Sequence, residues 1–307
     1  MDVLVAGGTG FIGTALCEHL AERGHDVTAM ARSPEPSSLP AGVEGVAGDV
    51  TDPESVEAAV AGQDAVYNLV ALSPLFQTPS GLSHEAIHLG GTENLLAAAE
   101  SAGVDRFCQL SGLGAAPDAP TEHLRVKHRA EVAVEAAPLE TVIVRPSVVF
   151  GENSEFLSFV DATTTAYVTP LPAGGRMRFQ PIWIGDLAPM LADCVDGPHA
   201  GETYELGGPE RLTLADVTRL FYASRDQSVQ IVPIPLALSE LGLTLAGPVP
   251  FVPFGPEQAK ALSVDNTVDR NAIDAFGVEA SDLRSLADYL GVDTPAARDS
   301  LRPDADG

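Results

Sequence analysis

Val3-Leu4-Val5-Ala6-Gly7-Gly8-Thr9-Gly10-Phe11-Ile12-Gly13 decides how the chain is read. Val3 to Ala6 is an apolar run of strand length, and it enters a glycine turn directly. An amphipathic helix follows, with Phe11, Ile12, Leu16 and Leu20 at helical spacing. A strand, a glycine-rich turn and a helix in that order form a cradle for the pyrophosphate of a dinucleotide. Gly7 permits the tight turn, Gly10 lets the backbone approach the phosphates, and Gly13 lets the helix pack close to the sheet. The helix N-terminus presents free N–H groups and positive partial charge to the anion. Gly7, Thr9, Gly10, Phe11, Ile12 and Gly13 are therefore expected to bind a cofactor.

Outward from this stretch, strand and helix patterns alternate. Strands are expected at 26–30, 43–47, 65–70, 106–110 and 141–144, with helices at 11–23, 53–60, 84–102 and 123–136. Thr51-Asp52-Pro53 reads as a helix start with proline in the first turn. This alternation predicts an α/β fold, a doubly wound parallel sheet of Rossmann type covered on both faces. After Gly151 the pattern loosens. A helix at 184–194 and a strand at 203–206 are expected to return to the sheet, and 212–290 reads as helices with short connections. The expected division is a dinucleotide-binding domain over 1–150, rejoined by 181–206, and a small, mostly helical C-terminal substrate lobe from 151–180 and 207–307. Within that lobe Val229–Phe254 is apolar, with Glu240 as its one charge and five prolines. It reads as a buried cap or as an apolar wall for a greasy substrate or partner.

The chain has 307 residues, 43 acidic and 17 basic, for a formal net charge of −26. That charge argues against nucleic acid and anionic membrane surfaces as partners. Lys127 and Lys260 are its only lysines. An acidic surface nearly free of lysine resembles halophilic proteins, in which salt screens the self-repulsion. Cys17, Cys108 and Cys194 have neither metal spacing nor a disulfide pattern, and no metal site is expected. A strand beginning at the first residues, and the lack of an 18-residue apolar run, lead to the expectation of no signal peptide, no transmembrane segment and a cytoplasmic location.

Cofactor choice is read at the end of the second strand. Met30-Ala31-Arg32 lacks the carboxylate that holds the ribose of NAD, and Arg32 is suited to a 2′-phosphate. NADP(H) is therefore preferred over NAD(H). Asp49 and Val50 end the third strand, where the adenine would lie. Asp49 reads equally as a cap for the next helix. Leu69, Val70 and Ala71 end the fourth strand near the middle of the cofactor.

The ordered motifs Gly7 to Gly13, Gly48-Asp49-Val50, Asn68 to Ala71, Gly91-Thr92-Glu93-Asn94, Ser111, Lys127, Arg145-Pro146 and Gln180 to Asp186 resemble an atypical, extended short-chain dehydrogenase/reductase of the NAD-dependent epimerase/dehydratase type. The stretches Arg106 to Ser111, His123 to Lys127, Arg145 to Gly151 and Asp265 to Val268 are most similar to the nucleotide-binding accessory subunit family of respiratory complex I. Active members of the superfamily place a Tyr four residues before a Lys. The resemblance implies that Lys127 meets the nicotinamide ribose and that Pro146 fixes the loop beside the ring. Here the Tyr position is His123. The helper hydroxyl is displaced by Gly112 and Leu113, leaving Ser111, and an upstream Asn position is His88. Candidate catalytic residues are thus Lys127, His123 and Ser111. Two readings compete: His123 replaces Tyr as the acid, or the ordinary chemistry is lost and the nucleotide is bound for structural, regulatory or electron-transport reasons. Under the second, the implied partners are the nucleotide and a respiratory-chain protein or an apolar small molecule, peripheral to the membrane. A redox-sensing regulator and an active reductase or sugar-nucleotide epimerase are the alternatives.

Overall fold

A computed structural model of the chain describes residues 1–76, 78–235, 260 and 264–292. β1 (Asp2–Ala6) leads through the glycine turn to α1 (Phe11–Glu22), β2 (Asp26–Ala31), β3 (Val43–Ala47) and α2 (Pro53–Val60). β4 (Ala65–Asn68) is followed by a π-helical segment, Glu85–Gly90, that runs into α3 (Gly91–Ala102). β5 (Arg106–Leu110), α4 (Glu122–Ala136) and β6 (Glu140–Pro146) complete the first half. β7 (Val149–Phe150), α5 (Glu155–Thr163), β8 (Tyr167–Pro172), β9 (Arg178–Phe179), β10 (Ile182–Trp183) and α6 (Ile184–Asp196) come next. The chain then returns to the main sheet as β11 (Thr203–Leu206).

That sheet has seven strands in the order β11-β6-β5-β4-β1-β2-β3, all parallel. The order reverses between β1 and β4, so the crevice for a ligand opens at the carboxyl ends of these two strands. The two-residue period of β1 distributes its side chains to both faces. Val3 and Val5 pack with Leu16 and Leu20 of α1 and Leu187 and Leu191 of α6. Leu4 and Ala6 pack on the opposite face with Val56, Leu95 and Leu96 of α2 and α3. Every one of these residues except Leu96 and Leu191 is fully buried, and each buried Val or Leu stabilises the fold by about 1.5–3 kcal/mol.

Local chemistry sets several boundaries. Asp52 caps α2 by accepting from the Glu54 N–H, with Pro53 at the first helical position, as the sequence predicts. Thr121 caps α4, which therefore starts at Glu122 rather than His123. β4 stops at Asn68 rather than Val70 because the Asn68 carboxamide accepts the Val70 N–H at 3.2 Å and turns the chain.

The second region is built on α5, α7 (Leu214–Ala223), preceded by β12 (Leu212–Thr213), and α8 (Leu286–Leu290), around Phe156, Phe159, Leu220, Phe221 and Leu286. β13 (Val229–Ile234) departs from the all-helical reading of 212–290: it pairs in parallel with β8. Its residues alternate in exposure, and Val232 is 40% exposed, so this part of the apolar stretch is a half-covered strand rather than a buried cap. Residues 236–254 of that stretch lie outside the described residues. Among the described residues no helix is long and apolar enough to cross a membrane, and no group of side chains could hold a metal ion. All three cysteines are buried and free.

Candidate functional site

The turn after β1 is shaped by three glycines with three different constraints. Gly7 has φ +83°, a left-handed conformation that favours glycine, and its backbone closes on Leu69 and Val70. A Cβ on Gly13 would stand 2.1 Å from the Gly7 carbonyl oxygen, so this position is fixed by packing. Gly10 differs: its backbone is extended, and the single atom near a Cβ there would be the Gly7 carbonyl oxygen at 3.2 Å. Among the described residues nothing else approaches the space above Gly10. Gly10 caps α1 without a side-chain bond, the first turn holds no acid, and among the described residues the N–H groups of Phe11, Ile12 and Gly13 donate to no partner. An anion-binding helix terminus aimed at open space fits a dinucleotide pyrophosphate.

The other expected cofactor positions stand at or just beyond the carboxyl ends of β2, β3, β4 and β6. Arg32 is exposed at the end of β2, near enough to Asp49 for its charge to help hold that carboxyl below its usual range. The larger cause is the turn itself. Asp49 accepts from the Thr51 N–H at 2.9 Å and the Thr51 hydroxyl at 2.7 Å. Asp49 therefore braces the entry to α2 rather than capping the helix, the role taken by Asp52. Val50 is buried, and its carbonyl accepts from Asn94. The turn Leu69-Val70-Ala71 is held by a buried amide network in which Asn68 donates to Thr92 and Gln109. Pro146 is buried at the end of β6, and its carbonyl accepts from the Leu113 N–H.

Lys127 lies one turn beyond His123 on α4, on the same face. Its ammonium donates to the Leu110 carbonyl at 3.3 Å, using one of three donors. Burial lowers the Lys127 pKa to about 8, against the opposing pull of Glu131. Ser111 is buried beyond β5, and its hydroxyl has no hydrogen-bond partner.

His123 belongs to a cluster that the sequence did not reveal. His84 and His88 stack with ring centroids 5.4 Å apart, and His123 stands edge-on to both, at 5.3 and 5.2 Å. The π-helical segment beginning at Glu85 presents His84 and His88 to one another. The His88 Nε2 accepts the Leu72 N–H at 3.4 Å, which ties the segment to the loop after β4. Burial, and then the Lys127 ammonium, push both His88 and His123 well below the ordinary histidine range. His88 and His123 are neutral at physiological pH.

This neutrality predicts acid sensitivity. Above the unfolded value of about 6.5, each ring is neutral in both states and contributes nothing. Below it, the unfolded chain takes up a proton that the folded site refuses, so stability falls as pH falls, by up to about 1.4 kcal/mol per pH unit for buried His88. Denaturant unfolding between pH 7.5 and 5.5 should show a smaller acid loss in His88→Gln than in the native chain. Equal losses would show that the ring titrates freely.

The sequence also missed a buried ion pair behind the lysine. Glu131, 1% exposed, accepts from Arg145 in a two-pronged contact at 2.8 and 2.6 Å. Arg145 of β6 thus points into α4. Asp186 accepts the Arg284 N–H at 2.8 Å and anchors the C-terminal segment to α6, while the Arg284 guanidinium lies 4.8 Å from the Trp183 ring centre.

Comparison with known proteins agrees with this geometry. The model of a family described as NAD(P)H-binding matches residues 7–166. The chain is 31% identical over 291 residues to NADH dehydrogenase (ubiquinone) 1 alpha subcomplex subunit 9 of Arabidopsis thaliana, covering 88% of this chain and 71% of the relative. It is 34% identical over 180 residues to a 2-alkyl-3-oxoalkanoate reductase of Stenotrophomonas maltophilia, covering 51% and 53%. The fold is that of an NADPH-dependent quinone oxidoreductase of Escherichia coli solved with NADPH, with TM-score 0.72 at 18% identity, covering 94% of this chain and 99% of that one.

Proposed function

Since the chain belongs to the NAD(P)H-binding, Rossmann-type family close to the subunit 9 relatives, we propose that it binds NADP(H) and has lost the ordinary acid–base chemistry of active reductases. The observation that carries this reading is His123 beside Lys127. A phenol acts as an acid by becoming an anion, which a neighbouring ammonium stabilises. An imidazole acts as an acid from its cationic form, which the same ammonium destabilises. Burial, and after it the lysine that would activate a tyrosine, therefore disarm the histidine, and His123 is held in its neutral form. Leu113 is buried where a helper hydroxyl is expected.

In this reading the N–H groups of Phe11, Ile12 and Gly13 hold the pyrophosphate, with Gly7, Thr9 and Gly10 shaping the turn. Arg32 holds the 2′-phosphate. Asp49, through its second oxygen, and Val50 meet the adenine. Leu69, Val70 and Ala71 line the middle of the cofactor, Pro146 flanks the nicotinamide, and Lys127 binds its ribose. The bound nicotinamide would supply or accept a hydride. The Ser111 hydroxyl is free to accept a contact from the nucleotide or a substrate. The sequence division, 1–150 with 181–206 as the nucleotide domain and 151–180 with 207–307 as the substrate lobe, is kept in this reading for the described residues. The role is that of an accessory protein at a respiratory membrane, with a surface adapted to high salt. The enzyme alternative, turnover through His123 and Lys127, draws on the likeness to the oxoalkanoate reductase.

Cofactor choice is tested at Arg32. A charged contact to the phosphate contributes about 1.5–3 kcal/mol. Arg32→Ala should erase at least tenfold of the preference for NADPH over NADH in calorimetric titrations at high salt. Tighter binding of NADH by the native chain would overturn the assignment.

A further inference from the structure

We propose that Glu131, held by Arg145, is a positioning residue that keeps the Lys127 ammonium charged and so sets the alkaline limit of nucleotide binding. The proposal rests on the reading that Lys127 meets the nucleotide. Glu131 lies one turn beyond Lys127 on α4 and is 1% exposed. It is the acidic group acting on the lysine. The other titratable groups around Lys127 cannot support its charge. His123, on its own helix, His84, just before the π-helical segment, and His88, within it, are imidazoles whose protonation would repel the ammonium, and His128 on α4 faces Glu131 with its Nδ1 3.8 Å from the carboxylate. Leu110 offers a carbonyl dipole from β5. Arg145 on β6 is cationic and faces Glu131, with Glu205 of β11 behind it at 3.5 Å.

The pair with Arg145 has two consequences. It fixes the Glu131 carboxylate with two charge-assisted bonds, so that a fixed negative charge stands on the lysine's face of the helix. It also occupies both Glu131 oxygens; among the described residues Glu131 makes no ion pair with Lys127, which leaves two ammonium donors free for a ligand. Lys127 is thus charged without being consumed. Burial opposes this charge strongly enough to bring the lysine to about 8. Removal of the Glu131 charge therefore brings its titration towards neutral pH. Nucleotide binding that depends on the ammonium would then fail at a lower pH.

The sequence supplies an unusually direct probe. Lys127 and Lys260 are the only lysines, so a chain labelled with ¹³C at lysine Cε gives two lysine signals, separated by Lys260→Arg. The full chain, Glu131→Gln and Glu131→Asp are titrated by NMR without nucleotide, and NADPH binding is followed in parallel by fluorescence from pH 6 to 10. The expected native midpoint for Lys127 is near 8, with NADPH affinity falling over the same range. In Glu131→Gln both midpoints move down by about one pH unit, while affinity at pH 6 changes less than threefold. Glu131→Asp keeps the carboxylate and lies between, which serves if the glutamine variant does not fold. A Lys127 midpoint unchanged by either substitution overturns the proposal, as does a loss of affinity equal at every pH. If the lysine midpoint moves while NADPH binds at no pH, the positioning role stands and the nucleotide reading of the site falls.

Discussion

The Gly10→Val variant is expected to fold normally and to bind NADPH at least a hundredfold more weakly than the native chain. The backbone at Gly10 is extended, φ −77° and ψ 171°, a conformation open to any residue, and its one close neighbour is the Gly7 carbonyl oxygen. The cost to the fold is that of a poorer helix cap, about 1 kcal/mol. The cost to binding is larger, because an isopropyl group would fill the space over the free N–H groups of Phe11, Ile12 and Gly13. Loss of two charge-assisted contacts to phosphate corresponds to about 3 kcal/mol or more, which is at least a hundredfold in Kd. The contrast with Gly13 is useful: there a Cβ would collide with the Gly7 carbonyl, so substitution would damage fold and binding together. Circular dichroism and thermal unfolding establish the fold of the Gly10 variant, and fluorescence titration measures binding. Native affinity in a folded Gly10→Val chain would mean that the glycine turn does not hold the pyrophosphate.

The second large effect is expected from His123→Tyr. The change replaces a disarmed imidazole with a phenol that Lys127 can activate, and general acid catalysis contributes about 10²–10⁴-fold where the partners are complete. Here they are incomplete, since Leu113 stands at the helper position. The variant should therefore reduce carbonyls about tenfold or more above the native background but remain slow, with NADPH affinity within about threefold of native. Removal of one imidazole from the cluster should also lessen the acid destabilisation predicted for the site. Turnover indistinguishable from the native background, with the chain folded and NADPH bound, would show that Lys127 is not placed beside the nicotinamide.

The sequence made the cradle legible because its determinants are local. The order strand, glycine turn, helix needs no long-range partner, and Asp52-Pro53 marks the start of α2 by itself. The parallel sheet follows from the alternation of elements, and the pairing of β11 with β6 completes it as expected. The remaining features depend on residues distant in sequence. His84 and His88 meet His123 only when the π-helical segment packs against α4. The one local signal was the helix-like spacing of His84 and His88, and nothing in it points to a third ring. Glu131 stands at the i+4 position from Lys127, which could have drawn attention to it, but its pairing with Arg145 depends on the seating of α4 over β6. β13 was misread for the same reason: its partner β8 lies far upstream, and a proline-containing apolar run gives no sign of a parallel pairing.

The central claim is that the site holds the nucleotide but does not drive carbonyl reduction through His123. It is tested most directly by loading the native chain with NADPH and following nicotinamide fluorescence on addition of a panel of aldehydes, ketones and quinones at high salt. NADPH is expected to bind and its oxidation to stay close to the rate in protein-free solution, with His123→Ala unchanged in both respects. Brisk oxidation by the native chain that is abolished in His123→Ala, with NADPH affinity preserved, would make His123 a working acid and the site that of an active reductase.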